Sequence, residues 1–256
     1  MVLEGVLDPL LSPLLSLPSW AAILVISAVI TVLTTLAYKY LTDQKRMKAL
    51  KKEMKEYQKK LKKLSKEDPK KAMALQKEMM GKNMELMKHS FKPTLYTLIP
   101  LIIIFGWLNA HMAYHPLEPG QPFNVTLVVD DDVAGNVTLS TTPALQIAQD
   151  QGATQAIDDD KLLWTLRGDP GDYQLAFTHS SGAEASQTIT ITSETGNYVQ
   201  PVQKLDAEPY KQLVLGNEKI RPLEGAPLVG NWGWIGIYIV FSIALSFSLR
   251  KALGVA

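Results

Sequence analysis

The sequence predicts a mostly α-helical membrane protein with three transmembrane helices, a cytosolic helical hairpin and an extracytoplasmic immunoglobulin-like β-sandwich. Three observations lead to this prediction: three long apolar blocks, a lysine-rich stretch between the first two, and a β-type pattern between the last two. The predicted organisation is an interfacial segment 1–19, transmembrane helix 20–41, hairpin 42–92, transmembrane helix 93–114, sandwich 115–216, linker 217–230, transmembrane helix 231–249 and cytosolic tail 250–256.

The three apolar blocks are Trp20–Leu41, Pro93–Tyr114 and Trp232–Leu249. A helix needs about 20 apolar residues to cross a hydrocarbon layer of about 30 Å. Each block meets that length, so we interpret them as membrane spans rather than as buried core helices. Pro93 is expected to start the second span, and Pro100 is expected to kink it because proline removes a backbone hydrogen bond.

The net charge of +1 conceals a strong asymmetry along the chain. Residues 39–92 hold 18 Lys and Arg against 7 Asp and Glu, whereas residues 115–231 hold 6 against 16. Basic loops remain in the cytoplasm, so the first segment is predicted to be cytosolic and the second external. The expected localisation is the plasma membrane, multi-pass, with the N-terminus outside and the C-terminus inside. Arg250 and Lys251 after the third span agree with this orientation.

The N-terminal segment is expected to lie at the membrane interface. It begins without a positively charged region and contains Pro9, Pro13 and Pro18, which argues against a cleavable signal peptide. The chain has no cysteine, so it has neither disulfides nor thiolate metal ligands.

The basic segment is predicted to form two antiparallel helices. Apolar residues from Met47 to Leu64 recur at spacings of three and four, which indicates one apolar seam. Asp68 is the expected N-cap of the second helix, with Pro69 at its first position. A methionine stripe then follows, formed by Met73, Met80, Met84 and Met87.

Two interpretations of the methionine stripe remain open. Methionine is flexible and polarizable, so the stripe is suited to capture of varied nascent apolar segments. Alternatively, it closes the hairpin. The lysines of the hairpin suit ribosomal RNA or anionic lipid. The residues proposed for that contact are Lys51, Lys52, Lys59, Lys60, Lys62 and Lys63.

The acidic segment has the alternating pattern of short β-strands. Its runs begin with FNVTLVV and end with SQTITIT, and turn sequences such as GDPGD separate them. Asp169, Gly171 and Tyr173 resemble the tyrosine corner of immunoglobulin-like domains. Asn124 and Asn136 each begin an N-glycosylation sequon. Residues 198–230 are expected to form an extended return to the third span.

Hydrogen-bonding side chains occur in all three apolar blocks. The interpretation tied to function is that they line a hydrated groove, and the alternative is that they bond adjacent helices together. The candidate groove residues are Ser27, Thr31, Thr34, Thr35, Thr94, Tyr96, Thr97, Asn109, Ser242 and Ser246. No charged residue accompanies them at that depth, which argues against an ion pump or a proton relay.

Catalytic signatures are weak. The sequence contains no glycine-rich phosphate loop and no nucleophile elbow. His111 and His115 are one helical turn apart, but no third metal ligand is evident nearby. We expect a protein that is not an enzyme and that needs neither a cofactor nor a metal.

The layout resembles the archaeal YidC-like proteins of the YidC/Oxa/Alb membrane-insertase superfamily. The resemblance depends on three spans, the lysine-rich hairpin, KPTLYTLIPLIIIFGWL from Lys92 to Leu108, and GWIGIYIVFSIALSFSLRKALGV from Gly233 to Val255. It implies an insertase whose helices enclose a polar groove open to the cytosol and the lipid. The absence of a charged groove residue and the external sandwich both depart from the family pattern.

The predicted function is therefore insertion of membrane proteins. Nascent membrane proteins, membrane lipids and the ribosome are the expected partners, and DNA is not. The alternative is a scaffold without transport activity, whose hairpin recruits ribosomes or another protein.

Overall fold

The computed structural model describes residues 4–253, apart from the side chains of residues 4–6, 66, 89, 90, 92 and 93. The chain divides into two compact units. We call them the helical unit, which contains Trp20–Gly106 and the chain from Ile235, and the sandwich unit, which contains Trp107–Trp234 and the N-terminal residues up to Ser19.

Three helices are long and apolar enough to cross a membrane, as predicted. They are α2 (Ser19–Leu41), the Thr94–His111 part of α4, and α5 (Trp234–Leu253), with mean hydropathies of 2.3, 1.4 and 1.5. The chain starts with α1 (Glu4–Leu11) and a 3₁₀ turn (Ser12–Ser16).

Helix α4 extends from Pro69 to His111 without interruption. The expectation that a separate helix starts at Pro93 is therefore wrong. Proline fixes φ near −65°, a value compatible with a helix, and helices that enter membranes tolerate the loss of one backbone bond. The second arm of the hairpin and the second apolar span thus form one helix of 43 residues.

Helix α3 (Gln44–Glu67) pairs antiparallel with the first part of α4. Both helices begin at an aspartate cap: Asp43 accepts a hydrogen bond from the Arg46 backbone N–H, and the predicted Asp68 accepts from the N–H groups of Lys70 and Lys71. These bonds lower the pKa of Asp68. The predicted N-cap and the start at Pro69 are confirmed.

Polar pairs across the hairpin fix its register. The Arg46 guanidinium donates to Glu85 Oε1 at 2.8 Å, and Lys82 Nζ lies 3.0 Å from Glu53 Oε2. The Tyr57 hydroxyl donates to Glu78 Oε1 at 2.5 Å, which raises the pKa of Tyr57. Across these three pairs the residue number increases along α3, from Arg46 to Tyr57, and decreases along α4, from Glu85 to Glu78. The two helices are therefore antiparallel.

The sandwich unit contains two antiparallel sheets. The five-stranded sheet has the order β3-β5-β1-β9-β8 and the four-stranded sheet β4-β2-β6-β7. The strands are β1 (Phe123–Val129), β2 (Asn136–Thr142), β3 (Gln146–Ile147), β4 (Thr154–Ala156), β5 (Lys161–Arg167), β6 (Gly171–His179), β7 (Glu184–Ile191), β8 (Val202–Lys204) and β9 (Tyr210–Leu215).

The predicted alternation is confirmed in the long strands, whose inward residues form one core. Trp164 of one sheet packs at 5.8 Å between ring centroids on Phe177 of the other, and both are fully buried. The Tyr173 hydroxyl donates to the Asp169 carbonyl at 3.0 Å, as in a tyrosine corner. The side chains of Asn124 and Asn136 are exposed.

The expectation of an extended return over residues 198–230 is wrong, because its first half contains two strands of the sandwich and its second half contains bonded turns. Strand β9 pairs with β1 near the middle of the larger sheet, and β8 pairs with β9 at its edge. Both strands are short and polar on one face, and the partner of β9 lies about 90 residues earlier in the chain. The local alternation of apolar and polar residues therefore gave little indication of these strands.

The N-terminal helix is attached within the sandwich unit to the end of α4. The Trp107 indole N–H donates to Asp8 Oδ1 at 2.9 Å, and the His111 ring stacks on Trp107 with centroids 4.6 Å apart. His111 Nδ1 lies 3.0 Å from the Trp107 carbonyl. Local contacts therefore account for the position of His111.

We expect Tyr173→Phe to destabilise the sandwich by about 1 kcal/mol, because a nearly buried hydroxyl loses its bond to the Asp169 carbonyl. Hydrogen exchange of β1 and β6 peptides in increasing urea measures this effect in the whole protein. Tyr40→Phe is the matched control, since Tyr40 is 76% exposed and belongs to the helical unit. Equal midpoints for the two variants would contradict the assigned role of the hydroxyl.

Candidate functional site

The hydroxyl side chains of α2 occupy two different faces. Ser27, Thr31 and Thr35 recur every four residues and are almost completely buried, with at most 4% exposure. Thr34 lies beside them, half-buried, and its Oγ1 donates to the carbonyls of Ile30 and Thr31 at 2.8 and 3.1 Å. The four predicted groove residues of this helix therefore divide into a buried row of three and a separate Thr34.

The buried row contains one hydroxyl without a partner. Ser27 Oγ is inaccessible and makes no hydrogen bond within the part of the chain that the structure describes. Ser242 Oγ on α5 has the same property, although Ser242 as a whole is only half-buried. A buried polar group of this kind is costly, so each is a position where water or a polar ligand would be stabilised.

The predicted residues of α4 are more accessible. Thr94 and Tyr96 are exposed, and Thr97 is half-buried. Thr97 Oγ1 donates to the Thr94 carbonyl at 3.1 Å. Pro100 has no N–H, so the Tyr96 carbonyl lacks the usual donor four residues ahead.

A cavity of about 200 Å³ lies between α2 and α4 inside the helical unit. It brings together three of the predicted groove residues, Thr34, Tyr96 and Thr97, with Pro100 beside them. Its remaining lining is apolar: Ile30, Leu33, Ala37, Leu101 and Ile104. The polar groups that reach this cavity are thus few, and the two threonine hydroxyls already bond to their own helices.

The other predicted groove residues do not line this cavity. Ser242 and Ser246 lie half-buried on α5. Asn109 belongs to the sandwich unit, where its carbonyl accepts hydrogen bonds from the Tyr198 hydroxyl at 2.6 Å and from Gln200 Nε2 at 3.3 Å. Both bonds are made to the backbone of Asn109, so they hold a loop of the sandwich and do not involve the asparagine side chain.

The methionine stripe of α4 faces away from the hairpin seam. Met73, Met80, Met84 and Met87 are 73, 65, 50 and 54% exposed. By contrast, Met47, Leu50 and Ala72 are at most 8% exposed, so the hairpin closes on these residues. The alternative in which the stripe itself closes the hairpin does not agree with these exposures.

The stripe continues beyond the methionines. Phe91 and Leu95 are exposed at the next helical positions, and together with Met87 and Lys88 they line a shallow depression of about 400 Å³. Leu98 and Ile102 extend the same spacing into the apolar span and are 42 and 60% exposed. The spacing of three and four continues through this region of the sequence, but the expectation of a helix boundary at Pro93 separated the methionines from the apolar residues of the span. We call the surface Met80, Met84, Met87, Phe91, Leu95, Leu98 and Ile102 the α4 stripe.

The six lysines proposed for ribosome or lipid contact are all exposed on α3. No group of three or more His, Asp or Glu side chains that could hold a metal ion occurs among the residues that the structure describes. The site is thus an arrangement of apolar, hydroxyl and basic groups around α2, α3 and α4.

The model of a protein family described as "Integral membrane protein EMC3/TMCO1-like" matches residues 4–136, just over half of the chain. The chain belongs to this family. EMC3/TMCO1-like proteins are integral membrane proteins related to the YidC/Oxa1/Alb3 insertase superfamily and are implicated in membrane-protein insertion. No curated protein and no solved structure matches the chain.

The matched region of the EMC3/TMCO1-like family covers α1–α4 and the beginning of the sandwich. It therefore contains the hairpin, the α4 stripe and the cavity of Thr34, Tyr96 and Thr97. Ser242 and Ser246 on α5 lie outside it. The prediction of a YidC-like protein of archaeal origin is finer than this family assignment and stays a prediction.

We expect Leu50→Ala to destabilise the hairpin by about 2–5 kcal/mol, because it removes a fully buried side chain from the seam. Met84→Ala should change stability by less than about 0.5 kcal/mol, since Met84 is half exposed. The urea dependence of hydrogen exchange in α3 peptides of the full-length protein measures both. A loss with Met84→Ala as large as with Leu50→Ala would restore the interpretation that the stripe closes the hairpin.

Proposed function

We propose that this chain is a membrane-protein insertase. Its hairpin receives nascent hydrophobic segments on the cytosolic side and passes them along α4 into the bilayer. The observation that most supports this proposal is the α4 stripe, an accessible apolar surface that extends along one helix from a basic hairpin into an apolar span. The family match supports the same class of function.

Capture of a nascent segment requires a surface that accepts many sequences. The exposed Met80, Met84 and Met87 provide flexible apolar contacts, and Phe91 adds an aromatic face at the next turn. Lysines on the neighbouring helix attract the anionic surface of the ribosome or of the membrane. In this proposal the hairpin is cytosolic, the N-terminus and the sandwich are external, and the last turn of α5 with Arg250 and Lys251 is again cytosolic.

Transfer of the polar part of a client is the costly step. A charged side chain at the centre of a bilayer costs about 3 kcal/mol on insertion scales, so even a partial hydration path lowers the barrier substantially. The cavity beside Thr34, Thr97 and the Tyr96 carbonyl is the proposed entrance of that path. The unpaired Ser27 and Ser242 hydroxyls are further sites for transient hydrogen bonds. The proposal needs neither a cofactor nor a nucleotide.

A scaffold without transport activity is the second candidate function. The observation in its favour is that Thr34 and Thr97 bond to carbonyls of their own helices, which leaves the cavity with a largely apolar wall. In that case the hairpin recruits ribosomes or another protein, and the spans serve only as anchors. Loss of the scaffold would leave insertion of short-tailed membrane proteins unaffected, whereas loss of an insertase would impair it.

Replacement of Met80, Met84 and Met87 by Ser should weaken site-specific crosslinking from the hairpin to ribosome-bound nascent chains, because the apolar contact is removed. Replacement of the exposed Lys59, Lys60 and Lys63 by Ser is the matched control for surface composition. It should reduce ribosome binding more than contact with the nascent chain. Unchanged crosslinking in a folded methionine variant would contradict capture by the stripe.

We expect Ala37→Phe to reduce insertion of a short-tailed client several-fold, because the added ring fills part of the cavity between α2 and α4. Val32→Phe adds the same ring type on an exposed position of the same helix and should retain activity. Complementation of a depleted strain, with protein levels checked by immunoblot, provides the measurement. Full activity of Ala37→Phe at normal protein level would favour the scaffold.

A further inference from the structure

The segment between β9 and α5 is folded rather than extended. Successive turns are closed by backbone bonds from Ala226 N–H to the Leu223 carbonyl at 3.0 Å, from Gly230 to Ala226 at 2.9 Å and from Trp232 to Val229 at 3.0 Å. We call residues 221–233 the pre-span loop, because α5 starts at Trp234. All of it belongs to the sandwich unit.

Leu228 is the most exposed large apolar side chain of this loop. It is 96% exposed and has a backbone φ of +70°, a conformation that side chains other than glycine, asparagine and aspartate rarely adopt. A strained backbone of this kind persists only where surrounding structure or a function maintains it. Bonded turns surround Leu228 here, and its side chain is left almost fully exposed.

The charge pattern indicates which surroundings would cover Leu228. No Asp, Glu, Lys or Arg occurs from Gly225 to Leu249, a run that starts nine residues before α5 does. Helix α5 has 20 residues, but its last turn carries Arg250 and Lys251, so its uncharged part is Trp234–Leu249. At 1.5 Å per residue this part is about 24 Å long, which is shorter than a hydrocarbon layer of about 30 Å. The uncharged residues 225–233 that precede α5 therefore adjoin a short span, where lipid contact does not bury a charge.

Two further features agree with a lipid environment. Trp232 is 45% exposed two residues before α5, and tryptophan concentrates at membrane interfaces. Leu228 is six residues from Trp234, so even a fully extended chain could separate them by only about 20 Å. The bonded turns keep the actual path shorter.

We propose that the pre-span loop is a lipid-contact element in which Leu228 enters the leaflet on the sandwich side while Trp232 occupies the headgroup region. The partner is the lipid surface itself, because the loop is continuous with a segment that lies in lipid and carries no charge between Gly225 and the helix. This contact fixes the depth of the loop in the membrane. It does not depend on the insertase activity.

The absence of cysteine makes a direct test straightforward. A nitroxide on Leu228→Cys, in full-length protein reconstituted into phosphatidylcholine vesicles, reports collision rates with oxygen, which partitions into lipid, and with a water-soluble nickel chelate. Ile243→Cys, 53% exposed in the middle of α5, is the lipid control. Ser181→Cys is the aqueous control, since it lies in the turn between β6 and β7. That turn is at the opposite end of these strands from Ile191, which pairs with Leu117 near the end of α4.

The expected result is an oxygen-to-nickel ratio at Leu228 close to that of Ile243 and above that of Ser181. A ratio equal to that of Ser181 would overturn the proposal, because it would place Leu228 in water. An immobilised nitroxide with low collision rates for both reagents would also overturn it, because a second copy or another protein would then cover the side chain. Unchanged thermal unfolding of the labelled variant verifies that the loop is intact.

Discussion

Hydrocarbon provides no hydrogen-bond partners, so every polar group of a membrane span must find a partner inside the protein or remain unsatisfied. Three hydroxyls of these spans have a partner in their own helix: Thr34, Thr97 and Ser248 each donate to a carbonyl of the preceding turn. The hydroxyls of Ser27 and Ser242 have no hydrogen-bond partner among the residues that the structure describes. A hydroxyl in a span can bond to a client or to water only if it is not already bonded within the protein. Which hydroxyls are bonded therefore matters more than how many the sequence places in lipid.

The continuity of α4 connects the exposed methionines of the hairpin with the apolar span. Because the hairpin arm and the span are a single helix, the α4 stripe keeps a constant face from Met80 to Ile102. A loop at Pro93 would have allowed the two halves to rotate independently and would have divided the stripe. In the proposed mechanism, a segment held on the hairpin is therefore already aligned with the apolar face of the span. The cavity residues Thr97, Pro100 and Ile104 lie on a different face of α4.

Local sequence signals predicted the features that depend on nearest neighbours. The apolar runs gave the three spans, Asp68 and Pro69 gave the start of α4, and the spacing before Tyr173 gave its bond to Asp169. Pairings between strands distant in the chain were missed, as with β9 beside β1, because the alternating pattern of a strand does not indicate which other strand it pairs with.

Periodicity identified the methionine stripe but did not show whether it faces the hairpin seam or the solvent, since buried and exposed stripes have the same spacing. Burial of Met47 and Leu50 instead of Met84 resolves that question. The prediction of a polar groove had a similar limit. Composition places Thr34 in a span, but only its side-chain rotamer decides whether the hydroxyl bonds to its own helix or can donate to a client.

The position of β9 has a consequence for biosynthesis. Val125 in β1 pairs with Leu215, which is synthesised 90 residues later. Strand β1, in the middle of the larger sheet, therefore lacks one of its two neighbouring strands until that point. Closing so long a loop is slow compared with forming a hairpin between adjacent strands. On a translating ribosome, the domain can be completed only when the segment just before α5 has been released. The last strand of the sandwich and the last apolar helix therefore become available almost together, so completion of the sandwich coincides with synthesis of α5.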